Sequence, residues 1–393
     1  MIVLRRFVVL LFVLTASLPC QRTWTVNGNG PADFADLPPA VAAAKSGDVI
    51  VITGHGDYGS IDTNKGLSIV GRYIWPRGTS VIHDLPKGER FQFQGIIGRF
   101  GNPNGSLLLR DNQGSVHVDN CLFFSGEFPG HENSFIKIER CRDVTFNASF
   151  FYDLDIRDSR VSLIDCGILS TDDIFAPVAP HLGTAMILSN SHVTQANSIV
   201  VGALQSFSAV AAPGIRMTGG TLIIAGDSSQ KIQGGWGLMA GPSGLGPPIL
   251  SNGGRVEYDP DVPRVNSNLQ AVPNQGTSTF VVRHRPYVTA WPIIAPRVFK
   301  PKIHYLPGAI AGLVLGVPTQ AQPISLGELW LDPSTMFPVG AGTLVGSGTE
   351  GSLEFAFPIP KGLFAKGVLL SYQAITIYKG KVELSIPVRF GAL

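Results

Sequence analysis

The chain has 393 residues, 15% of them charged and 44% hydrophobic, which is enough apolar material for more than one core and too little charge for a disordered chain. Its formal net charge is +2 and no basic run is interleaved with aromatics, which excludes nucleic acid and anionic membrane surfaces as expected partners. Glycine (46) and proline (29) are frequent, as many short strands separated by turns require.

Residues 1–20 read as an export signal. Arg5 and Arg6 precede an unbroken apolar run at 8–14, followed by small residues at 15–17. Cys20 lacks the surroundings of a lipid-modified cysteine, since Ser17 and Pro19 occupy the positions that would hold leucine and a small residue. Cleavage and release are therefore expected, with a secreted or cell-surface location. No later segment is long enough to be expected as a transmembrane span; 309–317 is apolar for only nine residues and reads as a buried strand.

From residue 21 to about 262 the chain reads as a solenoid. Residues 24–26 are strand-like, and Phe34, Leu37, Ala40, Val41 and Ala44 then fall at helical spacing, with Asp36 placed to cap the helix and prolines in its first turn. Such a helix would cover the open first coil. Apolar pairs two residues apart follow at Val49/Val51, Leu67/Ile69, Phe91/Phe93, Val116/Val118, Ile136/Ile138, Val161/Leu163, Met186/Leu188 and Ile215/Met217. A spacing of two is the side-chain period of a strand, and steps of 18 to 29 residues between the pairs predict stacked coils.

Taking Cys121, Cys141, Cys166 and Ser191 as one reference position, the preceding residues Asn120, Arg140, Asp165 and Asn190 are all polar. Six residues after the reference positions, Asn147, Asp172 and Asn197 predict a structural turn ladder, in which Asx side chains satisfy turn backbone groups. The cysteines are expected to stack as buried thiols, with a Cys121–Cys141 bridge as the alternative; no metal-ligand spacing accompanies them.

The residues Phe34, Leu37, Ala40, Val41, Ala44, Gly47, Asp48, Val49, Ile50, Gly56 and Tyr58, with the later stretch Lys65 to Gly71, resemble the opening of the pectin-lyase-like family of right-handed parallel β-helices. That family hosts lyases, hydrolases, esterases and non-catalytic binding proteins.

Residues 263–276 are polar and turn-rich and read as a linker. Residues 277–393 carry seven or eight strand-like segments without a helix signal, which predicts an antiparallel β-sandwich. Within it, Gly327 to Pro333, Phe357 to Pro360 and Tyr372 to Ala374 resemble a small C-terminal module of exported bacterial proteins.

The predicted register places Ile50/Ile52 outward in the first coil and His117, Asp119, Lys137 and Glu139 in one outward polar patch, with His117 beside Lys137 and Asp119 beside Glu139. Opposite charges pairing on a solvated face is the plain reading of that patch. The resemblance implies a sharper one, in which Asp119 and Glu139 hold calcium and Lys137 is the base of a lyase. Otherwise no cofactor or metal is expected and no catalytic residue is assigned. The expected function is a non-catalytic exported protein binding polysaccharide or a surface protein, with a polysaccharide lyase or glycosidase as the alternative; no motif sets an oligomeric state.

Overall fold

The computed structural model describes residues 21–71, 74–99, 106–124, 136–170, 183–203, 212–235, 245–266, 268–290, 298–358 and 369–391. Asp172 lies outside these residues. Strands are the dominant element among them, and the described residues from 23 to 282 build a parallel β-helix with three faces.

One coil shows the plan. Ser115–Asp119 lies on the first face, Leu122–Phe124 on the second and Ile136–Glu139 on the third, before Asp143–Asn147 returns to the first. The first face carries eleven parallel strands from Thr23–Val26 to Thr279–Val282, the third nine and the second seven. Inward residues of all three faces merge in one core; Phe91, Phe146 and Phe151 are among its largest sequestered side chains.

Each coil supplies apolar pairs to more than one face, and this changes the predicted register. Phe91/Phe93, Val116/Val118 and Val161/Leu163 line the first face, whereas Ile136/Ile138, Met186/Leu188 and Ile215/Met217 line the third. The first coil is also shifted by one residue. Ile50 stacks on Ile69 and points into the core with Ile52, so the expectation that both face outward is corrected.

The entrance is built as its sequence predicts. Leu37–Ala43 is helical, the Asp36 side chain accepts from Leu37 N (2.7 Å) and also from Gly59 N (2.8 Å), and Leu37, Ala40 and Val41 are buried against the first coil. Lys65 Nζ donates to the carbonyls of Val41, Ala42 and Ala44 at the other end of the helix, where a cation meets orphaned acceptors. Gly47 turns at φ +92°, and Asp48 accepts from Arg22 N, Lys45 N and the Trp24 indole.

Two corners of the coil use one device. Between first and second faces, Asn120, Ala148, Asp165 and Asn197 all sit at positive φ; between third and first, Asp111, Arg140, Asp158 and Asn190 do the same. Short polar side chains tolerate this left-handed conformation best, which explains the run of polar bends. One residue after the bend, a small hydroxyl or thiol donates to the carbonyl two residues back: Cys121, Ser149, Cys166 and Ser198 at one corner, Cys141, Ser159 and Ser191 at the other.

Cys121 and Cys141 therefore stand at different corners, which removes the alternative bridge between them; all three thiols are free and buried. Asn147 and Asn197 are likewise not one ladder. Asn147 ends a first-face strand and donates to Asp119 Oδ1 (2.8 Å), while Asn197 occupies a bend and donates to Asp165.

The β-helix runs on through the expected linker. Arg264–Val265 is a second-face strand, Gln275–Gly276 a third-face strand and Thr279–Val282 the last of the first face. Antiparallel sheets follow. Tyr287–Thr289, Lys302–Tyr305, Glu350–Glu354 and Val345–Ser347 form one; Phe337–Thr343, Ile310–Gly316, Leu369–Tyr378, Lys381–Leu384 and Val388–Gly391 form another. Their core, including Val288, Ile303, Leu313 and Tyr372, takes in Ile164 of the first face, and Tyr287 and Ile386 pack on Ala196 and Ala225. The C-terminal domain thus lies along the outer surface of the β-helix's first face.

Candidate functional site

The predicted outward patch does not assemble. His117 stacks between Gln92 and Thr145, and Asp119 between Gln94 and Asn147, on the first face. Lys137 stacks between Leu108 and Asp155, and Glu139 between Arg110 and Arg157, on the third. Lys137 Nζ lies 2.6 Å from Glu139 Oε1, and Asp155 pairs with Arg157 at 2.7 Å, so this side carries opposed charges in pairs. Asp119 and Glu139 project from different faces and do not converge on a shared cation. Calcium held by that pair, with Lys137 as base, is not compatible with the geometry.

His117 is instead sealed beneath the C-terminal domain, and Asp119 is buried on the same face between Gln94 and Asn147. Arg389, only 2% exposed, donates to both oxygens of Asp143 (3.1 and 3.2 Å), to Thr145 Oγ1 (3.0 Å) and to Thr319 O (2.9 Å), and lies 3.5 Å from His117 Nε2. Burial, with the charges of Arg389 and Arg90 nearby, holds the His117 imidazole well below its usual range, so it is neutral. Trp330 lies under Arg389 (5.0 Å to the ring centroid) and Arg160 (5.9 Å), and Arg160 pairs with Glu328 at 2.9 Å. Gln373 accepts from Trp330 N and donates to Glu328 O and Ser385 O. The sequence stretches around Trp330 and Gln373 therefore build the clamp between the two domains. Gln92, His117 Nδ1, Asn147 Oδ1 and Ser162 on this face have buried polar atoms without a hydrogen-bond partner.

A different place brings chemistry together. Where the last coils meet the C-terminal domain there is a cleft of about 250 Å³ lined by Asp227, Asp259, Asp261, His284, Tyr305 and Glu350, among others. Asp227 follows the strand Thr221–Ala225, Asp259 follows Arg255–Tyr258 one coil on, and His284 follows Thr279–Val282 a further coil on, so parallel stacking delivers all three to one corner. The C-terminal hairpin Val345–Ser347/Glu350–Glu354 supplies the opposite wall.

Polar contacts knit the cleft. His284 Nδ1 lies 3.0 Å from Asp259 Oδ1 and 3.6 Å from Asp261 Oδ2; Thr349 Oγ1 donates to Asp261 Oδ1 (2.8 Å) and Ser228 N to Glu350 Oε1 (3.3 Å). Burial pushes the Asp259 carboxyl up to about 6, against backbone donors that pull it down. Tyr287 stacks on His304 (4.6 Å between centroids, 5° between planes) and its hydroxyl donates to Asp227 Oδ2 (3.4 Å). Burial, reinforced by the charge of Lys302, brings His304 down to about 4. Below the cleft, Arg255 and Arg285 grip Glu257, while Arg283, Lys381 and Tyr305 converge on Glu383.

None of Asp227, Asp259, Asp261 and His284 stands out in the sequence reading. The trace they leave is an Asp-Pro-Asp stretch at the expected end of the solenoid, with a histidine 25 residues after its first aspartate, in the part expected to be the β-sandwich.

The molecule is a parallel β-helix protein with an antiparallel domain clamped along one face. No protein-family model matches the chain, and no curated protein matches it. Among solved structures it is similar to full-length tailspike protein 2 from Escherichia coli O157:H7 bacteriophage CAB120, at 14% identity and a TM-score of 0.24, over 90% of this chain and 65% of that one. The chain thus spans slightly less than two thirds of that protein. It is also similar to the enzymatically active domain of tailspike protein 2 of bacteriophage CBA120, at 11% identity and a TM-score of 0.23, over 95% of this chain and 71% of that one. A third likeness is to tailspike protein gp49 of Acinetobacter baumannii bacteriophage Fri1, a capsular polysaccharide depolymerase, at 9% identity and a TM-score of 0.18, over 85% and 82% of the two chains.

Proposed function

We propose that the protein is exported and binds a glycan, without catalysis of its own, in the cleft between its last coils and its C-terminal domain. The single observation that carries this reading is the convergence there of hydroxyl and carboxylate groups from both domains around a small concavity. Sugar hydroxyls both donate and accept, and Asp227, Asp261, Ser347, Thr349 and Glu350 offer matching partners. The cleft admits a unit of sugar size, whereas a stable protein partner wants a complementary surface of about 800 Å² per side. The leader-like residues 1–20 support export, and the helix, Gly-Asp turn and Gly-x-Tyr turn at the entrance support a place among pectin-lyase-like β-helices.

A second reading is a glycoside hydrolase. It is favoured by Asp259, a buried carboxyl raised to about 6 among other carboxylates, which is the condition of a general acid. Lyase chemistry at Lys137 gains no such support, because that amine is paired with Glu139 outside the cleft.

The mature protein should be tested on immobilised neutral and acidic glycans for saturable binding, and in solution for new reducing ends and for unsaturated products by ultraviolet absorbance. Binding with flat product traces is the expected result. Product formation that vanishes in Asp259→Asn makes the protein a hydrolase, and failure to bind any glycan removes the proposal.

A further inference from the structure

We infer that Asp259, Asp261 and His284 form a binding site for a divalent transition-metal ion of the Zn²⁺ class. The three residues present one donor atom each, all within 4.8 Å of one another. His284 Nδ1 stands 3.0 Å from one carboxylate oxygen and 3.6 Å from the other. Two ligands of a tetrahedral ion at a bond length of about 2.05 Å lie about 3.3 Å apart, so these separations bracket the edge of such a polyhedron.

The surroundings fit an ion site as well as the donors do. Asp261 Oδ1 is held by the Thr349 hydroxyl, which leaves Oδ2 towards the histidine. Asp259 is 4% exposed and oriented by the backbone N–H groups of Asp261 and Arg285. Oriented carboxylates of this kind are what an outer shell supplies. The triad also opens onto the cleft, which leaves coordination positions for a further ligand.

One imidazole with two carboxylates selects Zn²⁺ and its neighbours over Ca²⁺, which takes six to eight oxygen donors. A contrasting cluster shows that the arrangement is not automatic. His83 meets Asp62 through Nε2 and Asp84 through Nδ1, so its two carboxylates lie on opposite sides of the ring and cannot share an ion. The ion site stands without any glycan; its use in holding vicinal sugar hydroxyls rests on the reading given above.

The test uses tag-free, chelator-treated mature protein and no glycan. Zn²⁺ is titrated calorimetrically, and Co²⁺ is followed by its visible absorption bands. The expected result is one ion per chain at micromolar affinity, with Ca²⁺ at least 100-fold weaker. His284→Gln and Asp261→Asn should each weaken Zn²⁺ at least tenfold, while His83→Gln leaves it unchanged, far-UV circular dichroism serving to confirm that each variant is folded. Absence of stoichiometric Zn²⁺ uptake by the wild-type protein overturns the inference, as does uptake that survives His284→Gln. Ion binding without glycan binding leaves this site standing and removes only the glycan reading.

Discussion

Arg389 shows how much one residue can organise. Its guanidinium is almost wholly buried and satisfied by Asp143, Thr145 and Thr319, joining the last described strand of the chain to the middle of the β-helix. Removing one partner of a buried ion pair leaves the other uncompensated, at a cost of about 3–5 kcal/mol. Arg389→Ala should therefore lower the unfolding free energy by about that amount in denaturant titrations, or split the transition in two as the domains separate. An unchanged, single transition would mean that Arg389 contributes little to docking.

His304 makes a prediction in pH. Tyr287, Thr289 and Lys302 face it, with Asp227 nearby, and burial brings its native value to about 4, whereas the unfolded chain titrates near 6.5. Between those values the unfolded state holds the extra proton. Stability contributed by neutral His304 is complete above about 6.5 and lost as pH falls towards 4, at no more than about 1.4 kcal/mol per pH unit. The difference in unfolding free energy between wild type and His304→Gln should shrink across this window. A difference that stays constant from pH 7 to pH 4 would contradict the assignment.

At the scale of elements, the corners explain why the sequence was legible in part. The polar residues before each reference position are bends in the left-handed region, and the reference residues are small donors to a carbonyl two residues back. Both patterns are local, so the sequence displays them directly. What local pattern cannot display is which of two like corners a given bend occupies. Cys121 and Cys166 share a corner with Ser149 between them, while Cys141 belongs to the other; residue type is the same at both because the backbone demand is the same. The predicted alignment of Lys137 with His117 failed for this reason.

Ala148 tests the corner account. It sits at φ +46° in a column that also holds Gly95, Asn120, Asp165 and Asn197, and a left-handed conformation costs a residue with Cβ about 1–2 kcal/mol. Ala148→Asn should raise stability by up to about 1 kcal/mol, because Asn tolerates this region better. Denaturant unfolding of the variant checks it, and a loss of stability would show that the bend is set by something other than this preference.

At the scale of the molecule, the entrance was legible because helix, cap and turn are consecutive residues. The candidate site was not, because it is made by stacking. Asp227, Asp259 and His284 come from three successive coils, and their opposite wall comes from a hairpin some hundred residues further on. Pro263 to Gly276 has the composition of a linker, yet Arg264–Val265 and Gln275–Gly276 are strands of a coil, so the β-helix extends further than composition suggests. Covering of the first face by the C-terminal domain follows from Ile164, Ala196 and Ala225, apolar residues at outward positions whose partners lie in another domain. An outward apolar residue on a solenoid strand signals a cover, although not what provides it.

In the function proposed above, the glycan binds in the cleft and not on the third face, where Lys137 pairs with Glu139. This placement is tested most directly by measuring the affinity of wild type, Asp227→Asn and a Lys137→Ala/Glu139→Gln double variant for whichever glycan the wild-type protein binds. At least a tenfold loss in Asp227→Asn, with wild-type affinity in the double variant, is expected. Retained binding in Asp227→Asn together with lost binding in the double variant would contradict it.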